Sequence, residues 1–315
     1  MKLDRVCVVG GSGFVGRHIV YLLAEQKKNV RVTTRNRERS KELIVLPTVD
    51  VVQADVHDDA QLERMLEGMD AVINFVGILH EEGSGDFRRV HVELPQRIAR
   101  MCGHLGIPRF VHMSALNADV NGPSAYLRSK GEAEKALRNR AGAPAITIFR
   151  PSVIFGREDK FLNLFAKLLR FFPVLFLACP NARFQPVFVE DVARAFVDCL
   201  AKIDTFGQSY DLCGPKVYTL RELVEYMATL TGRRRPIVGL SDRLSYLQAW
   251  CMEFLPVKLM TRDNYFSMRI DSVCGCAFPE VFGFQPAELE AVVPLYLSGG
   301  SPRGRYRGFR YKAGR

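Results

Sequence analysis

The stretch that most constrains the fold is Val6-Cys7-Val8-Val9-Gly10-Gly11-Ser12-Gly13-Phe14-Val15-Gly16-Arg17-His18-Ile19-Val20. Its four leading apolar residues, Val6 to Val9, read as a buried parallel strand. Gly10, Gly13 and Gly16 follow at once, and the apolar spacing of Phe14, Val15, Ile19, Val20, Leu22 and Leu23 then predicts a helix. Strand, glycine-rich turn and helix in that order form the context in which a glycine motif cradles a dinucleotide. Gly10 permits the tight turn, Gly13 lets a pyrophosphate approach the backbone, and Gly16 lets the helix pack close to the strand. The free N–H groups and positive dipole end of the helix face the phosphates. The contacts expected from this stretch are Gly10, Ser12, Gly13, Phe14, Val15 and Gly16. The spacing is G-x-x-G-x-x-G rather than G-x-G-x-x-G.

Further strands are expected at 30–34, 49–53, 70–76, 109–113 and 145–149, with helices between them. That alternation predicts an α/β fold, a Rossmann-type doubly wound parallel sheet. Beyond it the pattern loosens into a smaller, mostly helical C-terminal lobe, in which Thr219 and Glu222 have capping-box spacing. The expected organisation is a nucleotide-binding core over 1–155, with 184–214 returning to it. Residues 156–183 and 215–297 form the smaller lobe, and 298–315 a basic disordered tail.

A site that prefers NAD places Asp or Glu at the end of the second strand, roughly 20 residues after the glycines, to hold the ribose 2′-hydroxyl. Here that strand ends in Thr33-Thr34 and runs into Arg35-Asn36-Arg37. Arg35 and Arg37 are the expected partners of a 2′-phosphate, which favours NADPH; a solvated basic loop is the alternative. Asp55, with Val56, follows the third strand where a carboxylate can accept from an adenine amino group, or can cap the next helix. Val76 ends the fourth strand and leads to Gly77, and both are expected cofactor contacts. Tyr126 and Lys130 lie four apart on one predicted helix face. An ammonium beside a phenol stabilises the phenolate, which would make Tyr126 an acid–base group near neutral pH; the alternative is that Tyr126 and Lys130 only bind the nicotinamide ribose of the cofactor.

Together, the glycine turn, Asp55, Tyr126-x-x-x-Lys130, Arg150-Pro151-Ser152 and Val189-Glu-Asp191-Val-Ala resemble the extended and atypical short-chain dehydrogenase/reductases, up to about residue 297. One branch is closer. Ser114-Ala-Leu-Asn-Ala-Asp, Tyr126-Leu-Arg-Ser-Lys-Gly-Glu-Ala-Glu, the run from Arg150 to Asn163, and Phe184-Gln-Pro-Val-Phe-Val-Glu-Asp-Val-Ala are similar to the nucleotide-binding accessory subunit of respiratory complex I and its epimerase-like bacterial relatives. The resemblance implies a tightly held NADPH, structural or redox-sensing, complex I subunits as partners, and a membrane-peripheral place. It adds Pro151, Ser152 and Val153 to the cofactor contacts. It also implies a rival: a working NAD(P)-dependent oxidoreductase or epimerase with Tyr126, Lys130 and Ser114 as catalytic residues. Two positions depart from the superfamily pattern. Leu116 stands where many extended members carry the catalytic hydroxyl, leaving Ser114 and Ser124 on either side, and His91 stands near the usual asparagine.

The chain has 315 residues, 48% of them hydrophobic and 25% charged, an ordinary globular composition. The first apolar run is only a strand long, so no signal peptide is expected, and a cytoplasmic place or the inner face of a membrane is. Eight scattered cysteines without a C-x-x-C, and six histidines without close pairing, read as a reducing compartment and no metal site. The six basic residues of 301–315 supply six of the ten net positive charges. Interleaved with Tyr306, Phe309 and Tyr311, they suit an anionic membrane surface, with single-stranded nucleic acid the less favoured partner. The apolar stretches 161–180 and 244–260 are too short or too interrupted to span a bilayer, and face lipid, a partner or the cleft.

Overall fold

A computed structural model describes residues 3–138, 144–255 and 258–297. The expected basic tail lies outside them. The chain divides into two compact units.

The first unit holds the chain up to Pro151, together with Val189–Leu212 and Pro279–Phe284. Its strands are β1 (Arg5–Val9), β2 (Asn29–Thr34), β3 (Val49–Gln53), β4 (Ala71–Asn74), β5 (Arg109–Met113), β6 (Ala145–Pro151) and β11 (Ser209–Leu212). They form one parallel sheet in the order β11-β6-β5-β4-β1-β2-β3. The order reverses between β1 and β4, the switch point at which such sheets take ligands. Both faces are covered, which is why the central strands are mostly apolar, with Asn74, Arg109 and His112 as buried exceptions. Helices α3 (Asp59–Leu66), α4 (Leu94–His104) and α5 (Ala125–Arg138) cover one face, where Leu62, Leu66, Leu94, Ile98 and Leu137 pack on Cys7, Val72, Phe110 and Ile148. On the other face α1 (Phe14–Glu25) packs against α7 (Val189–Ala201), whose Phe196 ring meets Phe75 and Phe149. A short helix, α2 (Lys41–Ile44), precedes β3.

Arg109 opens β5 fully buried. Its guanidinium donates to Ala145 O, Thr147 Oγ1, Cys199 O and Thr205 Oγ1 at 2.6–3.1 Å, and lies 4.3 Å from the centre of the Phe206 ring. It pins β5, β6 and the end of α7 together.

The second unit contains β7 (Ile154–Phe155), α6 (Leu162–Phe171), β8 (Leu175–Leu177), β9 (Arg183–Phe184), β10 (Val187–Phe188), β12 (Tyr218–Thr219), α8 (Leu220–Leu230), β13 (Ile237–Gly239), α9 (Asp242–Met252), α10 (Arg262–Ser267) and α11 (Leu289–Leu297). Its strands pair only two by two, and α6, α8 and α11 share an apolar core through Phe165, Leu169, Leu223, Met227 and Val293. Thr219 and Glu222 close the capping box that their spacing predicted. Cys213 and Cys274 form a disulfide. The reading of a reducing compartment did not anticipate it, because partners 61 residues apart leave no local spacing signal. Among the described residues no helix is long and apolar enough to cross a membrane.

Candidate nucleotide-binding site

The glycine turn joins β1 to α1. Gly10 has φ +81°, and a Cβ there would lie 3.1 Å from both the backbone N and Cγ2 of Val76, so the turn and the end of β4 touch. Gly10 N–H donates to Thr33 Oγ1 at 3.3 Å, and Ser12 Oγ to Thr34 Oγ1 at 3.2 Å, which ties the turn to the end of β2. Gly13 is the N-cap of α1, and neither a capping side chain nor an acidic residue occupies the first turn. The first N–H groups of a helix have no acceptor within it. A Cβ on Gly13 would meet only Gly10 O, at 3.3 Å, so the backbone there opens outward. Phe14 and Val15 follow in that first turn.

The end of β2 is basic. Arg35 and Arg37 are exposed, and among the described residues no carboxylate pairs with either. Burial, then the charge of Arg89, hold His57 below its ordinary range; Arg97 and Arg35 add to this and Asp55 opposes it. Arg35 therefore shares its field with two further arginines. Asp55 is exposed and accepts from His57 N–H at 2.9 Å, while the cap of α3 is Asp58, accepting from Gln61 N–H at 2.8 Å. Val56 is half-buried against the α3–α4 core.

Tyr126 and Lys130 project from the first turns of α5, which Ser124 caps through Leu127 N–H at 3.1 Å. Lys130 is buried, donates to Met113 O at 3.2 Å, and sits 6.0 Å from the centre of the Tyr126 ring. Burial pushes its ammonium down to about 8, against the opposing charge of Glu134. A Cβ on Gly77 would lie 3.5 Å from Lys130 Nζ and 3.6 Å from His91 Nε2, in ordinary contact, so Gly77 borders both groups.

His91 lies in a π-helical turn, Arg88–Glu93, that packs on α5. Its Nε2 accepts from Ile78 N–H at 3.1 Å, so the ring proton is on Nδ1, which donates to Ser129 Oγ at 2.9 Å. Ser129 Oγ in turn donates to Tyr126 O at 2.8 Å. Phe87 stacks on His91, and the His91 and Tyr126 rings meet edge-on at 5.5 Å. Burial first, then the Lys130 charge, push His91 down to about 2, so it stays neutral. Beneath it, Asn74 Oδ1 accepts from Val76 N–H at 3.1 Å, and Asn74 Nδ2 donates to His112 Nδ1 at 3.2 Å. His112 is held well below its ordinary range by burial and then by Lys130. At this site the buried His112 Nε2 and Ser114 Oγ find no partner among the described residues.

Comparison with known proteins places this geometry. Residues 6–213 match the model of the NAD dependent epimerase/dehydratase family. The chain belongs to that family. Within it, the chain is 31% identical over 301 residues to NADH dehydrogenase [ubiquinone] 1 alpha subcomplex subunit 9, mitochondrial, of Mus musculus, covering 90% of this chain and 77% of that protein. The Arabidopsis thaliana protein of the same name is 35% identical over 230 residues, 70% of this chain and 56% of its own. Among solved structures, a nucleoside-diphosphate-sugar epimerase from Staphylococcus aureus superposes with a TM-score of 0.71 at 18% identity, over 93% of this chain and 99% of that one, which is a likeness of fold.

In this epimerase/dehydratase-family chain the residues suit a nicotinamide dinucleotide. The uncapped α1 N-terminus and the open Gly13 backbone fit a pyrophosphate. Buried Lys130, and the hydroxyl of Ser114 left without a partner, fit a ribose and the group beside it. The two serines near the loop are now told apart: Ser124 is spent as a helix cap, and Ser114 is not. Pro151 is buried, its carbonyl accepting from Leu116 N–H at 3.0 Å. Ser152 and Val153 belong to the second unit, where Ser152 Oγ lies 2.9 Å from both the carbonyl and the hydroxyl oxygens of Ser272. Sequence reasoning missed Asn74, His112 and Ser129. For the first two the signal was a polar residue inside an apolar strand, in Ala71-Val-Ile-Asn74 and Arg109-Phe-Val-His112.

Proposed function

We propose that this protein holds NADPH as a structural or redox-sensing cofactor, in association with complex I subunits, peripheral to the inner face of a membrane or otherwise cytoplasmic. The observation that carries the NADPH preference is the acid-free end of β2, with Arg35 and Arg37, paired with no carboxylate among the described residues, next to a glycine turn suited to phosphate. The likeness to subunit 9 along most of the chain supports the assembly role. Protein purified without added nucleotide and then denatured is expected to release near-stoichiometric NADPH, unchanged by candidate carbonyl compounds. An empty protein overturns the reading.

Arg35→Ser with Arg37→Ser tests the preference by itself. Each charge-assisted bond to a phosphate contributes about 1.5–3 kcal/mol, so the double variant, which removes two such bonds, should bind NADPH ~100- to 10,000-fold more weakly, with NADH affinity little changed. Equal loss for both nucleotides, by titration calorimetry, would argue against a 2′-phosphate contact.

One observation favours a second reading, an active oxidoreductase or epimerase: the buried Ser114 hydroxyl has no partner among the described residues. Bound NADPH supplies the hydride in such chemistry. Tyr126 then moves the proton at the substrate oxygen, Ser114 holds that oxygen, and Lys130 binds ribose and favours the phenolate. Tyr126→Phe discriminates. It should leave nucleotide content unchanged under the first reading, and abolish substrate-dependent oxidation of NADPH under the second.

A further inference from the structure

We propose that the face formed by α9 and the β8–β13 pair is a docking surface for an anionic lipid bilayer. It deepens the membrane-peripheral part of the reading above and rests on it. Helix α9 is built the wrong way round for a surface helix. Its inward face is small, Ser245 and Ala249, both buried. The opposite side carries Arg243, Leu247 and Trp250 at helical spacing, continued by Phe254 in the following turn. Leu247, Trp250 and Phe254 are 49%, 42% and 73% exposed. Gln248 Nε2 donates to Phe176 O at 3.0 Å, which sets α9 beside β8. There Phe176 and Val238 are paired across the strands and both exposed, and Phe171 and Phe172 project just before them. Side chains of this size, exposed together, mark an interaction surface.

The charges around it choose the occupant. Arg170 precedes Phe171, Arg233-Arg234-Arg235 lead into β13, and Arg243 begins the α9 stripe. The nearby carboxylates are already engaged: Asp242 accepts from Tyr265 OH, and Glu253 pairs with Arg262. The surface is thus apolar and aromatic with a cationic surround, the composition of a segment lying in the headgroup layer. A second copy of this chain would set those cations against one another. Among the described residues no helix is long enough to cross, so the contact is superficial.

Trp250 is the chain's single tryptophan, so its emission reports this surface alone. The full chain, with its nucleotide content measured in the same samples, is mixed with phosphatidylglycerol–phosphatidylcholine or pure phosphatidylcholine vesicles. Expected is sedimentation with the anionic vesicles only, with a blue shift of Trp250 and its quenching by brominated lipid. Each cation near such a surface strengthens binding by roughly fivefold. Arg234→Gln with Arg235→Gln and Arg243→Gln should therefore weaken binding by about 100-fold, and Leu247→Ser with Phe254→Ser should remove the quenching. Sedimentation without a Trp250 shift would assign membrane binding to another segment and overturn the proposal. So would a shift that appears without vesicles as the protein self-associates, or one produced only by a complex I subcomplex. Failure with full NADPH content overturns this surface alone; missing nucleotide overturns the broader reading instead.

Discussion

Gly16→Ala is expected to empty the protein of nucleotide and to lower its stability by about 2–3 kcal/mol, the cost of overpacking a site with no room to yield. The added methyl carbon would lie 2.6 Å from Gly10 O, 2.6 Å from Gly11 Cα and 2.9 Å from Gly11 C. All three are backbone atoms of the turn, so no side chain can swing aside. Relief requires α1 to lift away from β1, which carries the N–H groups of its first turn out of line with a phosphate. Gly13→Ala separates the two consequences. Its methyl meets only Gly10 O, at 3.3 Å, so stability should hold within ~0.5 kcal/mol, as for a surface substitution, while the methyl occupies the ground a pyrophosphate needs. Urea unfolding and released-nucleotide content, measured on both variants, check this pair. Wild-type nucleotide content in Gly16→Ala would show that the close approach has no part in binding.

Much of this site was legible because its chemistry is local in sequence. The strand, the glycines and α1 lie within one stretch of about 20 residues, and Tyr126 and Lys130 share a helical face by spacing alone. The absence of an acid after β2 needs only the strand boundary. What stayed hidden is held together by residues far apart. His91 reaches Ser129 across 38 residues, and Asn74 reaches His112 across 38. Arg109 depends on a carbonyl 90 residues away and a hydroxyl 96 away. Read alone, Arg109 looks like a solvated strand end; only the return of α7 to the sheet supplies its acceptors. Asp55 was ambiguous for a different reason. Asp55 and Asp58 both precede α3, and cap geometry rather than residue type decides between them. The exposed stripe on α9 was undecided for another reason. Its apolar spacing left lipid, a partner and the cleft all open, and only the small inward face of Ser245 and Ala249 reveals that the large residues point outward.

Lys130→Met should make the nucleotide-free protein more stable at pH 7 while costing it the cofactor. The Lys130 ammonium is buried, and burial lowers it from an ordinary 10.5 to about 8. The unfolded chain therefore binds a proton more readily than the folded one between pH 8 and 10.5. Below pH 8 the folded state bears the full penalty of a charge taken out of water, about 3 kcal/mol at 1.36 kcal/mol per pH unit. As pH rises from 8 to 10.5 that penalty fades and this group's contribution to stability climbs. Methionine removes the charge but leaves Met113 O without its donor, at a cost of about 1–3 kcal/mol. The net expectation is a gain of ~1 kcal/mol at pH 7. Stability of the variant relative to wild type should then decline from pH 8 to 10.5. Nucleotide retention should fall ~10- to 100-fold, because a charged donor to the ribose hydroxyls contributes about 1.5–3 kcal/mol. Neither neighbouring histidine titrates across this range, since burial and the Lys130 charge keep both His91 and His112 neutral. Denaturant unfolding of both proteins at pH 7, 8, 9 and 10, with nucleotide content at each, measures the split. A variant less stable than wild type at pH 7 that still retains NADPH would mean that Lys130 is a structural group whose charge the fold tolerates for its own sake; gain and loss together would mean that the fold carries a buried cation because the cofactor needs it.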